Sequence, residues 1–190
     1  VDVPQECTQS GGVVPAGFGG GRRPRGFVER ASTSSELGDY FANMAELVDD
    51  RHRIVENRPL IVRETHTTDG QPIWEAVAQT LERYVVSLPD ERRTLFARYR
   101  IVDVARKVVG VGSVGTRAWV VLFVGRDNDD PLIMQVKEAQ SSVLERHLPK
   151  SRYRNHGQRV VAGQRFMQAS SDIFLGWIRG PGEGIDFYWR

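Results

Sequence analysis

Gly110-Val111-Gly112-Ser113-Val114-Gly115 lies between two runs rich in β-branched and aromatic residues, 100–109 and 117–124. The segment after the glycines decides between two folds. In a dinucleotide-binding unit the same G-x-G-x-x-G spacing opens a helix, whose N-terminus holds the pyrophosphate. Here the glycines lead into a run in which Trp119, Val121 and Phe123 alternate with Ala118, Val120 and Leu122. Period-2 alternation marks a strand. The pattern argues against a doubly wound parallel sheet and for an antiparallel pair joined by the glycines.

The downstream chain continues in the same way. Residues 132–139 read as a third strand after a polar turn at 125–131, and 141–147 as a short helix stopped near Pro149. A longer helix is expected over 157–170. Strands at 174–178 and 185–189 come next, joined by the turn Gly180-Pro181-Gly182-Glu183-Gly184. The sum is a five-stranded antiparallel sheet with a packed helix. Upstream, Leu37, Tyr40, Phe41, Met44, Leu47 and Val48 recur at helical spacing after Ser34 and Ser35, which predicts a helix from Glu36. Residues 53–62 read as extended, broken at Arg58-Pro59. Helices are expected at 73–87 and 90–99, the second opened by Pro89 with Ser87 and Asp90 placed to cap it. Residues 1–33 hold many glycines around Arg22-Arg23-Pro24-Arg25 and bury too little apolar surface to offset chain entropy, so a disordered leader is expected. The expected fold class is therefore α+β, in three stretches: leader 1–33, helical segment 34–99 and sheet subdomain 100–190.

A glycine loop between antiparallel strands, with a lysine on the next strand, is the arrangement by which protein kinases cover nucleotide phosphates. Lys137 stands 22 residues after Gly115 in the third strand, behind the apolar Leu132, Ile133 and Met134. Of 26 basic residues only Lys107, Lys137 and Lys150 are lysine, so each position calls for a reason. An ammonium in an apolar strand is costly without an anion. Glycines let backbone N–H groups approach phosphate oxygens closely. Glu138 points to the opposite strand face, and no acid lies between Arg146 and Ser171, which leaves Glu145 as the partner for Lys137 and Asp172 behind it. The candidate phosphate-binding residues are Gly110, Gly112, Ser113, Gly115, Lys137 and Glu145. Two plainer readings stay open: a simple hairpin turn for the glycines, and an edge lysine that discourages aggregation for Lys137.

Other chemistries have less support. The net charge of +2 disfavours nucleic acid. The basic stretch 141–168 has no aromatic platform beyond Tyr153 and Phe166 and reads as a solvated face. A single cysteine, Cys7, excludes a disulfide framework, and the four histidines lack metal-ligand spacing. No catalytic or metal-binding residue is assigned. Asp186-Phe187-Tyr188 lacks the glycine of a metal-binding Asp-Phe-Gly and reads as structural. No apolar run is long enough for a membrane span, and no secretory signal is read at 1–15, so a cytoplasmic protein is expected.

The run Tyr99-Arg100-Ile101-Val102-Asp103-Val104-Ala105-Arg106-Lys107-Val108-Val109, its glycine loop, Gln135-Val136-Lys137-Glu138-Ala139, His156-Gly157-Gln158-Arg159-Val160-Val161 and Gly163-Gln164-Arg165 resemble the bacterial domain of unknown function 2252 family. The resemblance is strongest over 99–190, looser from 36 and absent from the glycine-rich start. It implies a protein-kinase-like fold, with a sheet like the N-terminal lobe of a kinase and ATP with magnesium as cofactor. Gly110, Gly112, Gly115 and Lys137 match the family's motifs position by position. Members of that family are about twice as long and carry acidic catalytic and metal-binding segments not seen at 1–98. The resemblance therefore implies a truncated central part, inactive in phosphoryl transfer by itself. Its apolar face would then meet a missing lobe or a second copy. A non-catalytic scaffold fragment is the alternative function.

Overall fold

Ala118–Val124 is the strand around which the molecule is built: every residue but Trp119 is buried. A strand with both faces buried requires a layer on each side of its sheet. The computed structural model describes residues 44–67, 70–108, 115–180 and 184–190. All of them belong to the unit Glu36–Arg190.

Within it the elements run β1 (Ala45–Val48), β2 (Arg51–Ile54), β3 (Ile61–Val62), α1 (Ile73–Val86), α2 (Asp90–Phe96), β4 (Arg100–Lys107), β5 (Ala118–Val124), β6 (Pro131–Ala139), a 3-10 turn (Val143–Arg146), α3 (His156–Met167), β7 (Gly176–Arg179) and β8 (Asp186–Trp189). The main sheet is antiparallel throughout, in the order β3-β4-β5-β6-β8-β7. The α+β class and the five strands read from sequence are present, and β3 adds a sixth at the β4 edge. The packed helix is α3, which ends at Met167, three residues before its expected end.

One face of the sheet carries Val104, Val121, Phe123, Met134, Val136, Phe187 and Trp189, packed with Tyr84 and Leu88 at the end of α1 and Phe96 of α2. The Tyr84 ring stacks on Trp189 at 4.7 Å, and its hydroxyl donates to the Phe174 carbonyl at 2.5 Å. Ala105, Val120 and Leu122 point to the other face and meet Met44, Ala45 and Ile54 of the β1–β2 hairpin, together with Ile61. Asp103 ties that hairpin to the edge of β4. Its carboxylate accepts from the Ile54 N–H at 2.8 Å and from the Arg63 guanidinium.

Two expectations fail here. The helix predicted from Glu36 does not include residues 45–48, which form β1. Asp49 and Asp50 both have positive φ (49° and 59°), the geometry of a two-residue hairpin loop whose twist suits the flanking strands. Aspartate tolerates that region better than most side chains. Leu47, assigned to the buried helix stripe, is 57% exposed. The beginning of that expected helix, like the glycine-rich leader, lies outside the described residues. The cap expected for α2 is also absent. Pro89 takes the N-cap position without a side-chain bond. Ser87 instead accepts from the Trp177 N–H at 3.0 Å and donates to the Tyr84 carbonyl at 2.7 Å. The last turn of α1 is closed by Arg93, which donates to the carbonyls of Val85, Val86 and Leu88.

Candidate functional site

Lys137 lies near the end of β6, paired with Ala118 of β5 on one side and Tyr188 of β8 on the other. Side chains alternate along a strand. Lys137 therefore shares the face of Ile133, which packs on the hairpin-side core. It is half-buried, and no ion pair or hydrogen bond engages its ammonium among the described residues. Burial, and then the nearby charges of Arg190 and Lys107, hold its pKa below the ordinary lysine value. The charged form is thus uncomfortable in the folded chain. Over the window between the lowered value and 10.5, the unfolded chain binds more protons. Stability contributed through this group therefore rises with pH across that window.

The glycine segment joins β4 and β5, which are antiparallel neighbours as the sequence predicts. Gly110, Gly112 and Ser113 lie outside the described residues. Gly115, at the end of the segment, has φ 84° and no atom within 4 Å of where a Cβ would be. The left-handed backbone at that position favours glycine. Glu145 sits in the 3-10 turn Val143–Arg146, whose cap is the Ser142 side chain. No ion pair joins Glu145 to Lys137, so the expected pairing is not made. Asp172 accepts from the Phe174 N–H at 2.8 Å and makes no ion pair with Lys137 either. Glu138 accepts from the Arg117 N–H at 3.1 Å on the opposite face.

Asp186 is 3% exposed, and its carboxylate is committed to the fold. It accepts from Asn155 Nδ2 and the His156 N–H, both at 2.7 Å, and from Arg179 Nε at 3.3 Å. Among the described residues no group of three or more His, Cys, Asp or Glu side chains is placed to hold a metal ion.

Two concavities escaped the sequence reading. One of about 1110 Å³ runs between the β1–β2 turn and the start of α1, lined by Asp50, Arg53, Arg63, Trp74, Arg100 and Asp103 among others. The other, of about 340 Å³, is mostly apolar and lies between α1 and the sheet, against Trp119, Phe187 and Trp189. Alternation placed Trp119 in a strand, but only the folded sheet sets its ring edge-on to that of Phe187, 68 residues on, with centroids 5.7 Å apart. Neither concavity is lined by Lys137 or Gly115.

The family model described as an uncharacterized protein conserved in bacteria (DUF2252) matches residues 22–190. The chain belongs to the DUF2252 family. The match to DUF2252 begins upstream of where the sequence resemblance places it and takes in the basic Arg22–Arg25 cluster. The glycine-rich start is therefore only partly outside the family. No curated protein and no solved structure matches the chain. No helix among the described residues is long and apolar enough to cross a membrane.

Proposed function

We propose that this DUF2252 protein binds the phosphates of a nucleotide, ATP in the first instance, between the glycine segment 110–115 and Lys137. The observation that carries the reading is Lys137 itself. It is a half-buried ammonium with no anionic partner among the described residues, and Arg190 and Lys107 depress its pKa further. A phosphate at this point would relieve a cost that the fold otherwise bears. Two further features support it. The glycine segment spans adjacent antiparallel strands, and the lysine comes on the next strand, the arrangement used by kinases to cover phosphates. The nearby groups fit phosphate and not a metal: Lys107 and Arg190 are cations, and Glu138 is engaged by Arg117. The proposal is therefore for phosphate binding, with no transfer step assigned to this chain.

The test is thermal unfolding with and without MgATP. Ligand at a hundred times Kd adds about 2.7 kcal/mol, which shifts the melting temperature visibly. Lys137→Met should melt higher than wild type without ligand, because it removes a poorly solvated charge, and should lose most of the ligand shift. Gly112→Val should also lose the shift while keeping its far-UV circular dichroism. Equal shifts in wild type and Lys137→Met would refute the lysine assignment. No shift in wild type would refute nucleotide binding.

A further inference from the structure

The apolar concavity between α1 and the sheet lies on the face opposite Lys137, because Val136, the neighbour of Lys137 in β6, lines it. It is a different place from the proposed phosphate site, and side-chain size explains it. The sheet side is one row across four strands. Arg106 pairs with Trp119, Trp119 with Val136, and Val136 with Trp189. Phe187, two residues before Trp189, meets the Trp119 ring edge-on. The helix side is α1, which presents Ile73, Ala76, Val77 and Thr80, the i, i+3, i+4, i+7 stripe of a helix. Tyr84, in the last turn of α1, spans the gap and stacks on Trp189. Ala76, Val77 and Thr80 are shorter and leave a slot of about 340 Å³. Packed interiors hold few voids larger than a water molecule. A slot of this size falls instead at the lower end of small-ligand pockets, which run from about 300 to 1,000 Å³.

The polar groups of the slot are mostly donors. Its charged lining residues are two cations, Arg106 and Arg117, against one carboxylate, Glu64. Glu64 is taken by Arg106 at 2.6 Å. Arg117 is left with a loose ion pair, Nε to Glu138 Oε2 at 3.9 Å, and its guanidinium makes no hydrogen bond among the described residues. The Glu138 carboxylate accepts instead from the Arg117 backbone N–H and from Gln140 Nε2. The hydroxyls of Thr67 and Thr80 are engaged locally, by the Gln71 N–H and the Val77 carbonyl. Trp119 and Trp189 bury their Nε1–H groups with no acceptor among the described residues. Buried donors nearly always have one. The slot is therefore short of acceptors, and a guest that brings one suits it better than a guest that brings donors.

The chemistry of the lining narrows the guest further. A planar guanidinium suits a carboxylate, which it can meet with two parallel N–H bonds. An excess of one positive charge suits one negative charge. The rings of Trp119 and Phe187 suit a flat aromatic body, which can stack on them or meet them edge-on.

We propose that the slot between α1 and the sheet binds a small aromatic monocarboxylate, with its ring against Trp119 and Phe187 and its carboxylate on the Arg117 guanidinium. The site is independent of the phosphate binding proposed at Lys137.

The experiment is calorimetric titration of naphthylacetate, its neutral amide and the aliphatic octanoate into wild type, Arg117→Gln, Ala76→Leu and Lys137→Met. Wild type should bind naphthylacetate at least about tenfold more tightly than either the amide or octanoate. Arg117→Gln should weaken naphthylacetate by about tenfold and leave the amide nearly unchanged, so that the preference for the acid disappears. Ala76→Leu fills the slot from the helix side and should lose all binding while keeping its far-UV circular dichroism; Thr80→Leu replaces it if that variant is unfolded. Lys137→Met should bind naphthylacetate as wild type does, and a loss there would place the site on the other face and overturn the proposal. Equal affinity for acid and amide, or an unchanged preference in Arg117→Gln, would overturn the carboxylate assignment. Octanoate binding more tightly than naphthylacetate would overturn the aromatic one. No binding of naphthylacetate at millimolar concentration would refute the site and leave the MgATP test at Lys137 unaffected.

Discussion

Replacing Asp186 with alanine is expected to lower stability by about 3 kcal/mol or more, a large share of the 5–15 kcal/mol typical of a domain. The carboxylate is almost fully buried and joins three elements. It accepts the first N–H of α3 at His156, fixes the α3 cap residue Asn155 through its amide, and meets Arg179 of β7. Asn155 in turn caps α3 by accepting from the Gln158 N–H at 2.9 Å and donates to the Ile178 carbonyl at 3.3 Å. Alanine would leave buried donors on Asn155 and His156 without an acceptor, and it would remove a negative charge from a helix N-terminus, where it is favourable. Asp186→Asn keeps one acceptor and should fall between the two. Urea unfolding tracked by circular dichroism measures the effect. A loss below about 1 kcal/mol for Asp186→Ala would mean that water or a rearranged Asn155 replaces the carboxylate.

Gly157→Ala should be nearly as damaging, and Gly163→Ala in the same helix should have the opposite sign. Alanine is ordinarily better than glycine inside a helix by about 1 kcal/mol. At Gly163 a Cβ meets nothing within 4 Å, so that gain should be realised in full. At Gly157 a Cβ would stand 2.2 Å from the Phe187 carbonyl oxygen and 2.8 Å from its carbon, both backbone atoms of β8. The helix would have to lift away from the sheet, loosening the Asp186 bonds as it goes, at a cost of about 2–3 kcal/mol. Melting temperatures of the two variants should therefore move in opposite directions from wild type. A rise for both would show that α3 slides over β8 at little cost.

The strands that carry most of the sheet are legible because their alternation is local. Ala118 to Phe123 announce a strand through side-chain size alone, and the glycines before them settle an antiparallel pair. The β1–β2 hairpin escaped because a four-residue strand has too few residues to show its period. Its Asp49-Asp50 turn also lacks the glycine that usually marks a left-handed loop. The pairing of Lys137 with Glu145 failed for another reason. Eight residues of separation say nothing about direction, and the Ser142 cap holds that turn without any ion pair. Asp186 could be read as structural from its neighbours, but its partners Asn155 and His156 lie 31 and 30 residues upstream, and only the packing of α3 on β8 brings them together.

The scarcity of lysine makes the central claim open to a direct measurement. An amine-reactive ester labels lysines at rates set by their exposure and by the fraction present as free amine, and peptide mass spectrometry reads each of the three sites separately. Lys137, with its depressed pKa, should react readily for a half-buried group, and exposed Lys150 serves as the internal control. With saturating MgATP, labelling of Lys137 should slow several-fold while Lys150 is unchanged, and adenosine, which has no phosphates, should protect neither. Labelling of Lys137 at the same rate with and without MgATP would contradict the account.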